Sequence, residues 1–167
     1  MTAPLDPAPR EAGRVSIRAA TRSDLETLLE FRMGMLAEVF PTVGGPLLDE
    51  ETLRQANEKW LGDHLGRDFF AWIADLDGRP AASAGLMWFP HPPGPINPVG
   101  LEAYILNVYT RPDSRRMGLA RALMERLVEE ARAAGVRRIW LRASDDGRPL
   151  YEAMDFRAGN YLQLTPD

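Results

Sequence analysis

The chain has 167 residues, room for one domain with a sizeable core, and its 45% apolar and 26% charged residues are ordinary for a globular protein. A net charge of −4 argues against a nucleic-acid partner, because such proteins draw their affinity from basic surface. The absence of cysteine removes disulfides, thiolate metal sites and cysteine nucleophiles together.

Residues 1–13, MTAPLDPAPREAG, carry three prolines and lack the apolar core of a secretory signal. They read as a loose tail ahead of one domain over 14–167. No apolar run approaches the ~18 residues of a membrane span, so no membrane partner is expected and the expected location is the cytoplasm.

RVSIRAA alternates, with Val15 and Ile17 expected inward, and predicts a strand. Next, Ser23 and Glu26 have capping-box spacing ahead of a helical stripe of Leu25, Leu28, Leu29, Met33, Leu36 and Val39. A break at PTVGGP precedes a second, weaker helix expected over Leu47 to Leu61. FFAWIADLDGRPAASAGLMWF predicts a hairpin turning at Asp77-Gly78. PHPPGPINPVG holds five prolines in eleven residues and predicts a stiff loop.

LEAYILNVYT is apolar on both faces and predicts a central, buried strand. A long helix follows from about Gly118 to Ala134. Leu119, Leu123, Leu127, Val128 and Ala131 lie on its apolar side, and Gly135 is its stop. RRIWLRA predicts another strand, GRPLYEAM a short helix capped by Asp145-Asp146, and NYLQL a last strand. The order is β-α-α-β-β-β-α-β-α-β. Its strand-helix-strand unit over 102–142 predicts a parallel pair with a right-handed crossover, and the hairpin makes the sheet mixed.

The chemistry concentrates in TRPDSRRMGLARALM, Thr110 to Met124. The first turn of a helix has free N–H groups and the positive end of the dipole, so it suits an anion. Gly118 permits close backbone approach, Ala120 stays small, and Arg115, Arg116 and Arg121 add charge. The ligand this predicts is a phosphate or pyrophosphate. Neither G-x-x-x-x-G-K-[ST] nor G-x-G-x-x-G occurs. What stands there is R-x-x-G-x-A. After NVYTRPDS, and followed by helix, strand and LYEAMDF, it resembles the acyl-CoA loop pattern Q/R-x-x-G-x-G/A of the GCN5-related N-acetyltransferase (GNAT) family. LYEAMDF is similar to that family's C-terminal YE-x-x-GF. The resemblance is strongest over 102–156.

The resemblance implies a GNAT-like α/β fold with a mixed sheet and splayed central parallel strands. It implies acetyl-CoA as co-substrate and a primary amine of a small molecule or peptide as acceptor. It places cofactor contacts on Val108, Tyr109 and Thr110, then on Arg115, Arg116, Met117, Gly118, Leu119, Ala120 and Arg121. The Val108 N–H is the implied oxyanion donor, and Tyr151 the implied acid for the departing thiolate and a further cofactor contact. Asp145 falls near a cofactor-contacting asparagine of many members, one residue short and acidic. Glu102, at the start of the central strand, is the candidate base, acting through water, or else no single residue serves. Trp140 stands where other members have a glutamate. The resemblance also implies pairing through C-terminal strands, hence a homodimer. For the acceptor pocket it points to Phe31 to Trp60, Trp88 to Gly100, and a wall of Phe40, Trp88, Phe89 and Tyr104.

Plainer readings remain for single residues. Tyr151 also suits helix packing, Glu102 a solvated strand end, Arg111 a solvated surface, and Met33, Met35, Met87 and Met124 the core or a pocket lining. His64 and His91 stand apart without a carboxylate cluster and make no metal site. Two rival functions stay open: a non-catalytic acyl-CoA-binding module on the same fold, and an unrelated α/β domain for another phosphate ligand or a protein partner.

Overall fold

A computed structural model describes residues 13–39, 49–159, 162 and 164. The hairpin organises the sheet. β2 (Phe69–Leu76) and β3 (Arg79–Pro90) pair antiparallel around Asp77 and Gly78, both at positive φ, as a two-residue turn of matching twist requires. β1 (Val15–Ala19) adds to β2 and β4 (Leu101–Thr110) to β3, both antiparallel. β5 (Ile139–Leu141) pairs parallel with β4, giving the order β1-β2-β3-β4-β5. The mixed sheet is as expected. β5 is three residues, shorter than RRIWLRA suggests. Of the predicted last strand NYLQL, 160, 161 and 163 lie outside the described residues.

α1 (Leu25–Val39) and α2 (Glu50–His64) cover one face, where Leu28, Leu29, Leu61, Leu65, Phe69 and Ile73 are buried together. α3 (Leu119–Ala133) covers the other, closing Leu119, Leu123, Met124 and Leu127 over Leu86 and Ile105. Tyr151, from the short α4 (Arg148–Glu152), joins this second cluster.

Several local expectations are corrected. The box that starts the first helical segment is Thr21 with Asp24: the Asp24 carboxylate accepts from the Thr21 N–H at 2.8 Å, and a 3-10 turn over Arg22–Asp24 leads into α1. Arg18 of β1 decides between the overlapping boxes, because its guanidinium pairs with Asp24 at 2.9 Å and Asp75 at 2.8 Å. Val15 and Val39 are exposed rather than inward, Val15 on an edge strand and Val39 at a helix end. α2 starts at Glu50, capped by Asp49, whose side chain accepts from the Thr52 N–H, and Leu47 lies outside the described residues. At α4 the hydroxyl of Ser144, not an aspartate, accepts the Gly147 N–H.

Candidate functional site

β4 carries the site because it loses its partner halfway. Ala103, Tyr104 and Ile105 pair with Ile139, Trp140 and Leu141, and β5 then ends. β4 runs on to Thr110, still paired with β3 on its other edge. A bulge marks the parting. Ser83 faces Tyr109 and Gly85 faces Leu106, so Asn107 and Val108 together oppose Ala84. Asn107 takes φ 54°, a conformation asparagine tolerates better than most residues. A bulge sharpens twist and bends its strand, which opens the gap beside Val108 to Thr110.

The loop after β4 meets the gap at its far end. A 3-10 turn over Pro112–Ser114 leads to Arg116 at φ 63° and Gly118 at φ 81°, the N-cap of α3. The ladder of α3 begins with the Ala122 N–H donating to the Gly118 carbonyl at 3.0 Å. The preceding amides therefore have no place in it. A Cβ at Gly118 would meet nothing within 4 Å, so its backbone faces open space. These features fit an anionic ligand laid on the loop, with the rest of it along β4.

The arginines divide. Arg115 Nε donates to the Thr110 carbonyl at 3.1 Å, and its Nη2 pairs with Glu38 of α1. Its side chain ties loop to strand. Arg121 pairs with Glu125 at 3.4 Å. Arg116 is exposed and has no ion pair among the described residues. Met117 is exposed, Leu119 is buried in the core, and Ala120 is half-buried. Arg111 is not simply solvated. It pairs with Glu30 at 2.9 Å and lies 5.2 Å from the centre of the Phe31 ring. A cleft of about 540 Å³ opens here, lined by Phe31, Gly34, Tyr109 and Arg111. The Tyr109 ring packs on Phe31, so only its backbone faces the gap.

Tyr151 is buried, edge-on to Phe156. Burial pushes its phenol above the usual tyrosine value, so it holds its proton. Asp145 is exposed, with no hydrogen bond or ion pair among the described residues. Glu102 is buried, not a solvated strand end. Its Oε1 lies 3.1 Å from Arg138 Nη1 and 3.6 Å from His91 Nε2. His91 Nδ1 lies 2.7 Å from the Pro92 carbonyl, and its Nε2 lies 3.0 Å from the Asn97 amide nitrogen. Glu102 is six residues from Val108, about 20 Å along a strand rising ~3.3 Å per residue.

The aromatic wall forms with different members. Tyr104 and Trp140 pack with ring centres 4.2 Å apart and planes tilted by 32°, and Phe89 meets Trp140 edge-on at 5.9 Å. Trp88 packs instead against the cluster on the α3 side. Phe40 lies outside the described residues. Sequence reasoning missed Arg32 and Asn107. Arg32 of α1 donates through Nη1 to Asn107 Oδ1 at 2.8 Å and through Nε to Asn57 Oδ1 at 3.0 Å. The signal was present: Arg32 is four residues from both Leu28 and Leu36, a charge inside the apolar stripe.

Among the described residues no group of three metal-ligating side chains exists, and no helix is long and apolar enough to cross a membrane.

The sequence profile of the acetyltransferase (GNAT) family matches residues 34–156. The chain belongs to that family. Its domain is an N-acetyltransferase domain of the acyltransferase class, with acetyl-CoA as co-substrate. It is 43% identical over 117 residues to the [ribosomal protein bS18]-alanine N-acetyltransferase of Escherichia coli K12, covering 65% of this chain and 72% of that one. It is 34% identical over 128 residues to serotonin N-acetyltransferase 2, chloroplastic, of Oryza sativa subsp. japonica, covering 74% of this chain but only 56% of the rice protein. Among solved structures, a GCN5-related N-acetyltransferase from Ralstonia eutropha JMP134 superposes with TM-score 0.80 at 29% identity, covering 92% of this chain and 99% of that one. A predicted acetyltransferase from Clostridium acetobutylicum, solved with acetyl-CoA, gives 0.74 at 29% identity, covering 91% and 96%.

Proposed function

We propose that the protein transfers the acetyl group of acetyl-CoA to a primary amine of a small molecule or peptide, by direct attack in a ternary complex. The observation that carries this is the gap beside Val108 to Thr110, ending on the open backbone of Gly118. The two named relatives act on an alanine of a ribosomal protein and on serotonin, which supports an amine acceptor of either size.

Each group has a task. The amides around Gly118 hold the pyrophosphate, and Arg116 adds charge at the surface. The backbone of Val108 and Thr110 aligns the pantetheine arm, and the Val108 N–H meets the oxyanion that develops at the acetyl carbonyl. Tyr151 gives its proton to the departing thiolate. With no cysteine in the chain, no thiol nucleophile intervenes. The acceptor must be neutral to attack. An α-amino group, with a pKa near ~8, needs far less help than a lysine amine near ~10.4. Glu102 is too far along β4 to touch that amine. It drains the proton through water past Tyr104. One domain over 14–167, a cytoplasmic location and a homodimer belong to the same reading, supported by composition and family resemblance.

Thiol release from acetyl-CoA over an amine panel, with mass analysis of the products, tests the proposal. Release matched by one acetyl group per amine is expected. Tight acetyl-CoA binding without release on any amine would make the protein a binding module instead.

A further inference from the structure

Arg32 stands apart from the other half-buried arginines among the described residues. Arg18 meets Asp24 and Asp75, Arg54 meets Glu26, and Arg111 meets Glu30. Arg32 meets two neutral amides, Asn57 and Asn107, each through Oδ1. Among the described residues no carboxylate lies within 4.0 Å of it, and its hydrogen bonds run through Nε and Nη1, not Nη2. The two amides orient the guanidinium without cancelling its charge. Burial disfavours that charge. A buried charge costs free energy unless it is paired, so an arginine held this way is a site short of an anion.

The missing anion does not come from the core side. The void touching Arg32, Leu28, Leu61, Phe69 and Asn107 has about 10 Å³, room for a water and nothing larger. The other neighbours lead toward the acceptor. Asn107 directly precedes Val108 on the bulge, where the acetyl carbonyl is read to lie. Tyr104, three residues before Asn107 on β4, belongs to the aromatic wall with Trp140.

We propose that Arg32 receives a carboxylate carried by the acceptor, so that the acceptor is an amine with an acid group close to its nitrogen, as in an α-amino acid. This rests on the N-acetyl-transfer reading above. Arg32 is bound to the residue next to the oxyanion donor, so amine and carboxylate are separated by a short link. The planar guanidinium offers the paired donors that a carboxylate accepts. Tyr104, Trp140 and Phe89 then face the acceptor's remaining side chain, which favours an apolar one.

The test compares apolar α-amino acids with their own carboxamides, which keep the amine and side chain and lose the charge. Two readouts are taken: KM in the acetyl-transfer assay, and direct titration into the full-length protein saturated with CoA. At least one acid is expected to bind about 10-fold or more tighter than its amide, the scale of charge-assisted hydrogen bonds. Arg32→Gln is expected to bring that ratio near one, and Arg32→Lys to restore part of it. Equal binding of every acid and its amide by wild-type protein overturns the proposal, whether or not Arg32→Gln folds. So does a ratio that Arg32→Gln leaves unchanged. If titration shows the acid preference and no amine is acetylated, the carboxylate site stands and the transfer reading falls.

Discussion

Glu102 Oε1 lies 3.1 Å from Arg138 Nη1, joining the start of β4 to the entry of β5 just before the two strands part. The pair fixes the paired half of the parallel strands, so that opening is confined to the half beyond Ile105. It also holds a carboxylate on the face of β4 that carries Tyr104, at a distance only water can bridge.

Glu102→Gln is therefore expected to lower kcat about 10-fold near pH 7, short of the ~10²–10⁴-fold of a base in contact with its proton. The deficit should shrink as pH rises toward the acceptor's own pKa, where the neutral amine no longer depends on a drain. A pH–rate profile of wild type and variant checks this. A deficit constant with pH would assign Glu102 to strand alignment alone.

Tyr151 makes a different prediction. Burial raises its pKa, so its phenol carries a proton throughout the neutral range and any loss from its ionisation lies above pH 10. Tyr151→Phe should keep acetyl-CoA affinity and lower kcat about 10- to 100-fold, within the range of general acid catalysis or just below it. Steady-state kinetics beside a binding titration separates the two effects. Unchanged kcat would leave Tyr151 a packing residue against Phe156.

Direct attack has a kinetic signature. Varying acetyl-CoA at several fixed amine concentrations should give intersecting double-reciprocal lines, as a ternary complex requires. Parallel lines would point to an acetylated enzyme and a nucleophile the chain has not revealed.

The Arg18–Asp24–Asp75 cluster ties β1 and the start of α1 to β2. Hydrogen bonding to Arg18 holds the Asp24 carboxyl below its usual value. A depressed carboxylate pKa stabilises the fold above the unfolded value of ~3.9, and that contribution is lost as pH falls through the folded value. Stability should thus drop on acidification below about pH 4. Asp24→Asn should remove this part of the dependence and cost about 1–2 kcal/mol at pH 7, the lower end for charged hydrogen bonds because Arg18 is partly solvated. Urea unfolding at pH 7 and pH 3.5 measures both. Equal stability of wild type and Asp24→Asn at pH 7 would contradict it.

Much of the architecture is legible without coordinates, because periodicity and turn chemistry are local. Asp77-Gly78 gives the hairpin, and Leu119, Leu123 and Leu127 give α3. The resemblance over 102–156 locates the loop at Gly118. What escapes is what another element decides. Two capping boxes overlap at residues 21–26, and only Arg18, brought across from β1, selects Asp24. Trp88 and Phe89 are adjacent, and the register with β4 determines that Phe89 joins the wall. Trp140 enters that wall because β5 pairs with Tyr104. Asn107 gains its role from a bulge that its own sequence does not announce. Arg32 was visible as a charge in an apolar stripe, but its lack of a carboxylate is a tertiary fact.

The most direct test of the central claim is a calorimetric titration of acetyl-CoA into wild-type protein and Gly118→Asp side by side. Aspartate at 118 must adopt φ near 81° and places a carboxylate at the pyrophosphate position. One acetyl-CoA per chain is expected for wild type, with an affinity at least about 10-fold weaker for the variant, the cost of one charge-assisted contact. No binding by wild type, or equal binding by both, would contradict the assignment of this loop.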